Sequence, residues 1–257
     1  METTENKPLF EIRDLSVHYG DRKVLDGVTT DIPEKQVTAV LGPSGCGKST
    51  MLRAMNRTLE LTPHAKISHG SIMYKGENIL THPDGPRAMR KRVGIAQQRP
   101  LPFPMSIEEN VLFGLNYHEK LKTAEKKESV EKTLKRVALW DEVKDRLRSP
   151  GSALSIGQQQ RLCIGRSLAN RPEALLMDEP CSALDPASTA KIEELIRQLR
   201  GEITVVIVTH NIAQAKRIST RSIFFLNGAI AEQGDTEQVI SRPTNPRVRA
   251  IMTGNEG

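Results

Sequence analysis

The sequence predicts an α/β fold built on a parallel sheet, and three observations predict it. A compact apolar run at 37–41 reads as a buried strand, runs into the glycine-rich GPSGCGKST of 42–50, and is followed by helical character from 51 to 59. Two further apolar runs, 174–177 and 204–208, read as strands; the second is rich in β-branched residues, as a strand covered on both faces requires. Between those two lies 187–199, long enough to be the crossover helix that parallel neighbours need.

The remaining elements follow in order. An opening strand, FEIRDLSVHYG, places Phe10, Ile12, Leu15 and Val17 in partial alternation, and Asp21 and Gly27 read as turns around a short Val-Leu segment. SIMYKGENIL (71–80) reads as a strand pair turning at Lys75-Gly76. A proline-rich loop at 99–104 opens a charged helical stretch from 106 to about 147, and helical pattern returns from 155 to 169. Segments 222–226 and 229–232 flank Asn227-Gly228, a strong hairpin signal. The chain therefore reads as one domain over 8–252, a mixed α/β core interrupted by a helical subdomain near 99–160.

Composition excludes several classes. At 257 residues the chain buries a sizeable core without disulfide staples. Three widely separated cysteines, Cys46, Cys163 and Cys181, argue against a disulfide framework and for a reducing compartment; they read as small packing residues. The N-terminal METTENKPLF lacks the apolar stretch of a signal peptide, and no window approaches 18 apolar residues, so a transport role needs a partner that spans the membrane. The net charge of +6 serves solubility as readily as attraction to nucleotides or lipid. An aromatic share of 4% leaves no wide base-stacking platform, and no nucleic-acid partner is expected.

Gly42, Pro43, Ser44, Gly45, Cys46, Gly47, Lys48, Ser49 and Thr50 contain the P-loop pattern G-x-x-x-x-G-K-[ST]. Glycines let the backbone curl so that several N–H groups face phosphate oxygens, and the following helix adds its positive end. Lys48 is then a point charge for the outer phosphates, and the Ser49 hydroxyl is a Mg²⁺ ligand. The strand at 174–177 runs into Asp178-Glu179, two acids at the end of a parallel strand where ligands gather. Asp178 suits Mg²⁺; Glu179, one residue on, suits a γ-phosphate and its attacking water.

Beyond these, Leu154-Ser155-Ile156-Gly157-Gln158 resembles the LSGGQ signature of ABC ATPases, roughly twenty residues before Asp178-Glu179. Ser182-Ala-Leu-Asp185 is similar to the D-loop, His210 to the switch histidine, Gln98 to the Q-loop glutamine, and Tyr19 to the aromatic that stacks on adenine. The resemblance spans nearly the whole chain. It implies a RecA-like parallel-sheet core, an N-terminal antiparallel β subdomain and an inserted helical subdomain. It also implies ATP and Mg²⁺ as ligands and a homodimer in which each ATP lies between the P-loop of one copy and Ser155, Gly157 and Gln158 of the other. Glu179 polarises water in that scheme, His210 bridges to the γ-phosphate, Gln98 senses Mg²⁺ and water, and Asp185 couples the two sites. Each also has a plain structural reading: Tyr19 as a strand residue, His210 as a strand-end cap, Ser155 as a helix cap.

Two positions depart from the pattern. Ile156 replaces the first signature glycine, and a β-branched residue rejects positive φ, so this position must have negative φ or carry strain; its bulk is expected to alter hydrolysis rate or dimer affinity. Gln97 stands where many relatives carry an aromatic, which leaves Gln98 as the better match. MDEPCSALDPAST (177–189), LSIGQQQRLCIGRSLA, LWDEVKDRL (139–147) and PFPMSIEENV (102–111) resemble the ATPase subunit of bacterial phosphate importers. That likeness implies two transmembrane permease subunits, an extracytoplasmic solute-binding protein engaged indirectly, and a peripheral place on the cytoplasmic face of the cell membrane. Phe103, Met105 and Ile107 are expected to line a groove for a permease helix. An importer for an amino acid or another ion, a soluble ABC ATPase, and a plain P-loop kinase are the rival readings. The last leaves the signature unexplained.

Overall fold

The computed structural model describes residues 8–83 and 85–253. Along the chain, β1 (Pro8–Tyr19) and β2 (Arg22–Pro33) lead to β3 (Val37–Leu41) and α1 (Lys48–Met55). After them come β4 (Ala65–Tyr74), β5 (Glu77–Asn78), α2 (Gly85–Arg92) and β6 (Val93–Ala96). A helical stretch follows: α3 (Ile107–His118), α4 (Thr123–Arg136), α5 (Trp140–Val143) and α6 (Ile156–Ala169). The chain closes with β7 (Ala174–Asp178), α7 (Pro186–Leu199), β8 (Thr204–Val208), α8 (Ile212–Ile218), β9 (Arg221–Leu226), β10 (Ala229–Asp235), α9 (Thr236–Ser241) and α10 (Pro246–Met252).

Two sheets result. One is antiparallel, ordered β2-β1-β4-β5. The other is ordered β10-β9-β3-β8-β7-β6; all its neighbours are parallel except β10, which returns from β9 through Asn227 and Gly228, both at positive φ. This is the α/β fold with an antiparallel subdomain and a helical insertion that the sequence predicts.

Alternation along β8 explains its composition. Val206 and Val208 belong to the core shared with α1 and the antiparallel sheet, which also holds Phe10, Met51 and Phe225. Val205 and Ile207 pack the other way, with Ile192 and Ile196 of α7 and Leu162 of α6. Each such side chain leaves water completely and contributes roughly 1.5–3 kcal/mol. The sheet that carries the acids is therefore held from both sides.

Three local expectations are corrected. Gly27 does not end a strand; it lies inside β2 at φ 62°, where its N–H donates to Ser16 Oγ at 3.0 Å and the register with β1 shifts. The helix after the P-loop stops at Met55, short of 59, because Asn56 Oδ1 accepts from the backbone and hydroxyl of Thr58 and so replaces the next helical turn. Ile107 is wholly buried, so it belongs to the core and lines no docking groove. The basic tail forms α10, which docks through Val248, while residues 254–257 and the N-terminal 1–7 lie outside the described residues.

Candidate active site

The loop after β3 takes its shape from glycine. Gly42, Gly45 and Gly47 all have positive φ, at 137°, 76° and 106°. A Cβ on Gly42 would lie 2.3 Å from the Phe225 carbonyl oxygen, and one on Gly47 would lie 2.5 Å from Leu25. Gly47 ends the loop as the N-cap of α1, and no side chain caps that helix, which also has no acid in its first turn. Its first N–H groups and its dipole are thus free for an anion. Lys48 is buried, with Nζ 2.7 Å from the carbonyl oxygens of both Gly42 and Pro43. Those carbonyls hold the ammonium at the loop's centre, and burial pushes the nearby Cys46 thiol above its ordinary value.

Ser49 Oγ donates to Asp178 Oδ1 at 2.9 Å, bringing two hard oxygen ligands together. Burial, first of all, pushes the Asp178 carboxyl above the usual carboxylate range, opposed by the Ser49 hydrogen bond and the charge of Arg53. A desolvated carboxylate beside a hydroxyl fits a small divalent cation. Among the described residues no three His, Cys, Asp or Glu side chains form a metal cluster. Mg²⁺ here would take its other ligands from phosphate and water.

Glu179 follows at φ 45°, in the left-handed region, with its N–H donating to the Val208 carbonyl at 3.0 Å. That turn throws its side chain back over the sheet's edge. Its Oε2 accepts from Gln98 Nε2 at 3.3 Å and lies 3.2 Å from His210 Nδ1. One carboxylate oxygen thus gathers a residue from after β6 and another from after β8. A cavity of about 280 Å³ opens beside it, lined by Ser44, Gly45, Gly47, Lys48, Ser49, Thr50, Gln98 and Glu179 among others. Tyr19 reaches the same rim, with its hydroxyl 3.4 Å from Thr50 Oγ1.

The signature lies apart. Ser155 is the N-cap of α6 and exchanges side-chain-to-backbone bonds with Gln158 in a capping box. Ile156 opens that helix and is absent from the positive-φ residues, as its β-branch requires; its side chain is 55% exposed. Ser155, Gly157 and Gln158 line neither the loop cavity nor a second one of about 330 Å³ on the far side of Glu179. Gly157 packs beneath α7, where an added Cβ would fall 2.4 Å from Ser188 Oγ. Asp185 caps α7 by accepting from both the hydroxyl and the N–H of Ser188, which hold its carboxyl below the usual range.

The family model described as ABC transporter matches residues 25–182, more than half of the chain. The chain belongs to the ABC transporter family. The matched span includes the P-loop, Gln98, the signature and Asp178-Glu179, while Tyr19, Asp185 and His210 lie outside it. Among solved structures, CbiO1 from Clostridium perfringens, described as part of the ABC transporter complex CbiONQ, is 28% identical with a TM-score of 0.80. That match covers 96% of this chain and 99% of that one. A bacterial Atm1-family ABC exporter with ATP bound (24% identity, TM-score 0.81, covering 98% and 43%) is similar in fold. So is an ATP binding subunit of an ABC transporter (23%, 0.77, 95% and 99%). This ABC chain is accordingly an ATP-binding subunit carrying an ATPase domain. None of its described helices is long and apolar enough to cross a membrane.

Sequence reasoning did not single out the side chains that brace these motifs. Ser182 Oγ lies 3.4 Å from Gln98 Nε2 and donates to the Glu179 carbonyl. Gln160, buried in α6, donates to the carbonyl of Gln97. Both sit inside quoted motifs, so position alone could have raised them. Glu142, which meets Arg161, Gln158 and Lys191, lies within LWDEVKDRL (139–147), but nothing local sets it apart from its charged neighbours there.

Proposed function

We propose that two copies of this chain clamp two ATP·Mg²⁺ between them and drive an importer made with two transmembrane permease subunits, with inorganic phosphate as the cargo. The observation that carries the motor reading is the convergence of Gln98 and His210 on one oxygen of Glu179, beside the cavity lined by Lys48 and by Ser49, whose hydroxyl donates to Asp178. The N–H groups opening α1, with Lys48, hold the β- and γ-phosphates; Tyr19 stacks on adenine. Ser49 and Asp178 hold Mg²⁺, with Gln98 sensing it, and the metal supplies charge neutralisation at the phosphates when bound. Glu179 accepts a proton from the attacking water as its oxygen bonds to the γ-phosphorus. The bond between that phosphorus and the β–γ bridging oxygen breaks, and ADP leaves. His210 orients Glu179 and the γ-phosphate.

A nucleotide in the loop cavity is left without signature residues from its own chain, and this supports a second copy supplying Ser155, Gly157 and Gln158, with Asp185 beside them. The permease is assigned to the face with half-exposed or exposed Leu101, Phe113 and Tyr117, close to Phe103. On this reading phosphate never touches the chain; it passes through the permease from an outside solute-binding protein, and the subunit sits peripherally on the cytoplasmic face of the membrane. The cargo rests on the likeness of 102–111, 139–147 and 177–189 to phosphate-importer ATPases.

Glu179→Gln tests the motor: turnover should fall about 100-fold or more while ATP binding persists and an ATP-dependent dimer accumulates. Turnover at the parent rate would remove Glu179 as the base. For the cargo, the subunit is co-purified with two membrane proteins and reconstituted. ATPase stimulated by phosphate-loaded binding protein supports phosphate, and stimulation only by an amino acid or another ion moves the assignment there.

A further inference from the structure

Glu142, at α5, is the meeting point of three helices. Its Oε2 accepts from Gln158 Nε2 at 2.8 Å, and its two oxygens accept from the two terminal nitrogens of Arg161 at 3.0 Å each. Lys191 Nζ, from α7, donates to Oε1 at 2.7 Å. Arg161 is 3% exposed, so its charge needs this partner; one of its terminal nitrogens also donates to the Ala138 carbonyl. The signature amide is the informative contact. A carboxylate can only accept, so it forces the NH₂ end of Gln158 toward Glu142 and leaves the amide oxygen facing Ser155, whose N–H it accepts at 3.0 Å. The same capping box sets the Ser155 hydroxyl. On the neighbouring side Gly157 rests on Ser188, whose hydroxyl donates to Asp185 at 2.6 Å.

We propose that Glu142 is a positioning residue for the signature. It orients the Gln158 amide, so fixing Ser155 at the helix start, and through Lys191 it locks that helix start to the helix that carries Asp185. The residues that grip one nucleotide and the residue that couples to the other site then move as one body. The inference rests on the two-copy ATP clamp proposed above.

The test uses the full chain in a Glu179→Gln background, where light scattering reports the ATP concentration at half-maximal dimerisation. A fluorescent ATP analogue, at protein concentrations too low for dimers, reports binding to the P-loop alone, and thermal unfolding reports the fold. Glu142→Gln presents an amide that lets Gln158 flip; it should raise the half-dimerisation concentration roughly tenfold, the worth of one charge-assisted hydrogen bond, with P-loop binding within about twofold of the parent. Glu142→Asp keeps the charge beside Arg161 but is one methylene short of reaching Gln158 and Lys191 together; it should show the same shift with little change in melting temperature. Should Glu142→Gln fail to fold, Glu142→Asp decides. An unchanged dimerisation curve in the folded variant, whatever its melting temperature, overturns the proposal and leaves Glu142 as a plain partner for Arg161. If Glu179→Gln by itself forms no ATP-dependent dimer, the clamp reading fails first and takes this proposal with it.

Discussion

Two glycines of the phosphate loop, replaced one at a time by alanine, separate loop shape from loop chemistry. Both have positive φ, so each alanine carries backbone strain of about 1–3 kcal/mol. Their surroundings differ. At Gly45 the new methyl meets nothing within 4 Å, and the residue lines the loop cavity. At Gly42 it would sit 2.3 Å from the Phe225 carbonyl oxygen, against an ordinary contact of roughly 3.5 Å, and 3.0 Å from Cys46 Sγ. Phe225 is fully buried in β9, which pairs with both β3 and β10, so that carbonyl has no room to retreat. Overpacking then adds about 1–3 kcal/mol. Urea unfolding followed by circular dichroism should place Gly45→Ala about 1–3 kcal/mol and Gly42→Ala about 2–6 kcal/mol below the parent. Nucleotide binding should run the other way: Gly45→Ala puts a methyl where phosphate is expected and weakens a fluorescent ATP analogue more than its stability loss explains. Equal destabilisation, or parent-like affinity in Gly45→Ala, would refute the assignment of Gly42 to the frame and Gly45 to the cradle.

Two further outcomes concern the metal and the signature. Burial raises the Asp178 carboxyl, so the folded chain binds that proton more tightly than the unfolded one; its stabilisation is complete below the unfolded value, about 3.9, and is lost as pH rises through the raised folded value. At neutral pH the ionised side chain therefore costs stability. Asp178→Asn, which keeps an acceptor for Ser49, should melt no lower than the parent at pH 7 while Mg²⁺-dependent ATPase falls about 100-fold; a lower melting temperature contradicts the sign. Ile156→Gly removes a half-exposed side chain from the first helical position and should shift ATPase rate or dimer affinity about threefold or more, with a stability cost under about 1 kcal/mol; unchanged ATPase kinetics would show that Ile156 faces no nucleotide.

Most of the fold was legible because its strands obey one-dimensional rules. The run 204–208 is apolar on both faces because it lies between two layers, and Asn227-Gly228 turns β10 back antiparallel to β9 at the end of the larger sheet. What escaped depended on long-range partners. Gly27 looks like a turn in sequence, yet pairing with β1 absorbs it as a bulge. Ile107 belongs to an apolar run that suits a docking groove, yet the helical layer buries it completely. The P-loop, the paired acids and the signature were readable because loop geometry ties each to fixed spacing. Glu142 was not, since its three partners come from α6 and α7, up to 49 residues away.

The position of Glu179 shows why such sites resist reading from local pattern alone. A non-glycine residue held at φ 45° carries strain that neighbouring structure must sustain. Here β8 does so by accepting the Glu179 N–H at Val208, while Ser182 closes the turn behind it. The strained turn has a consequence for chemistry: Asp178 and Glu179 are adjacent in sequence yet serve opposite needs. Asp178 stays in the strand's frame, desolvated and bonded to Ser49, as a cation ligand should be. Glu179 is swung out of that frame to meet Gln98 and His210 at the edge of two cavities, within reach of water. On the proposed mechanism, two identical functional groups one residue apart are thus divided into metal ligand and proton acceptor by a single backbone angle.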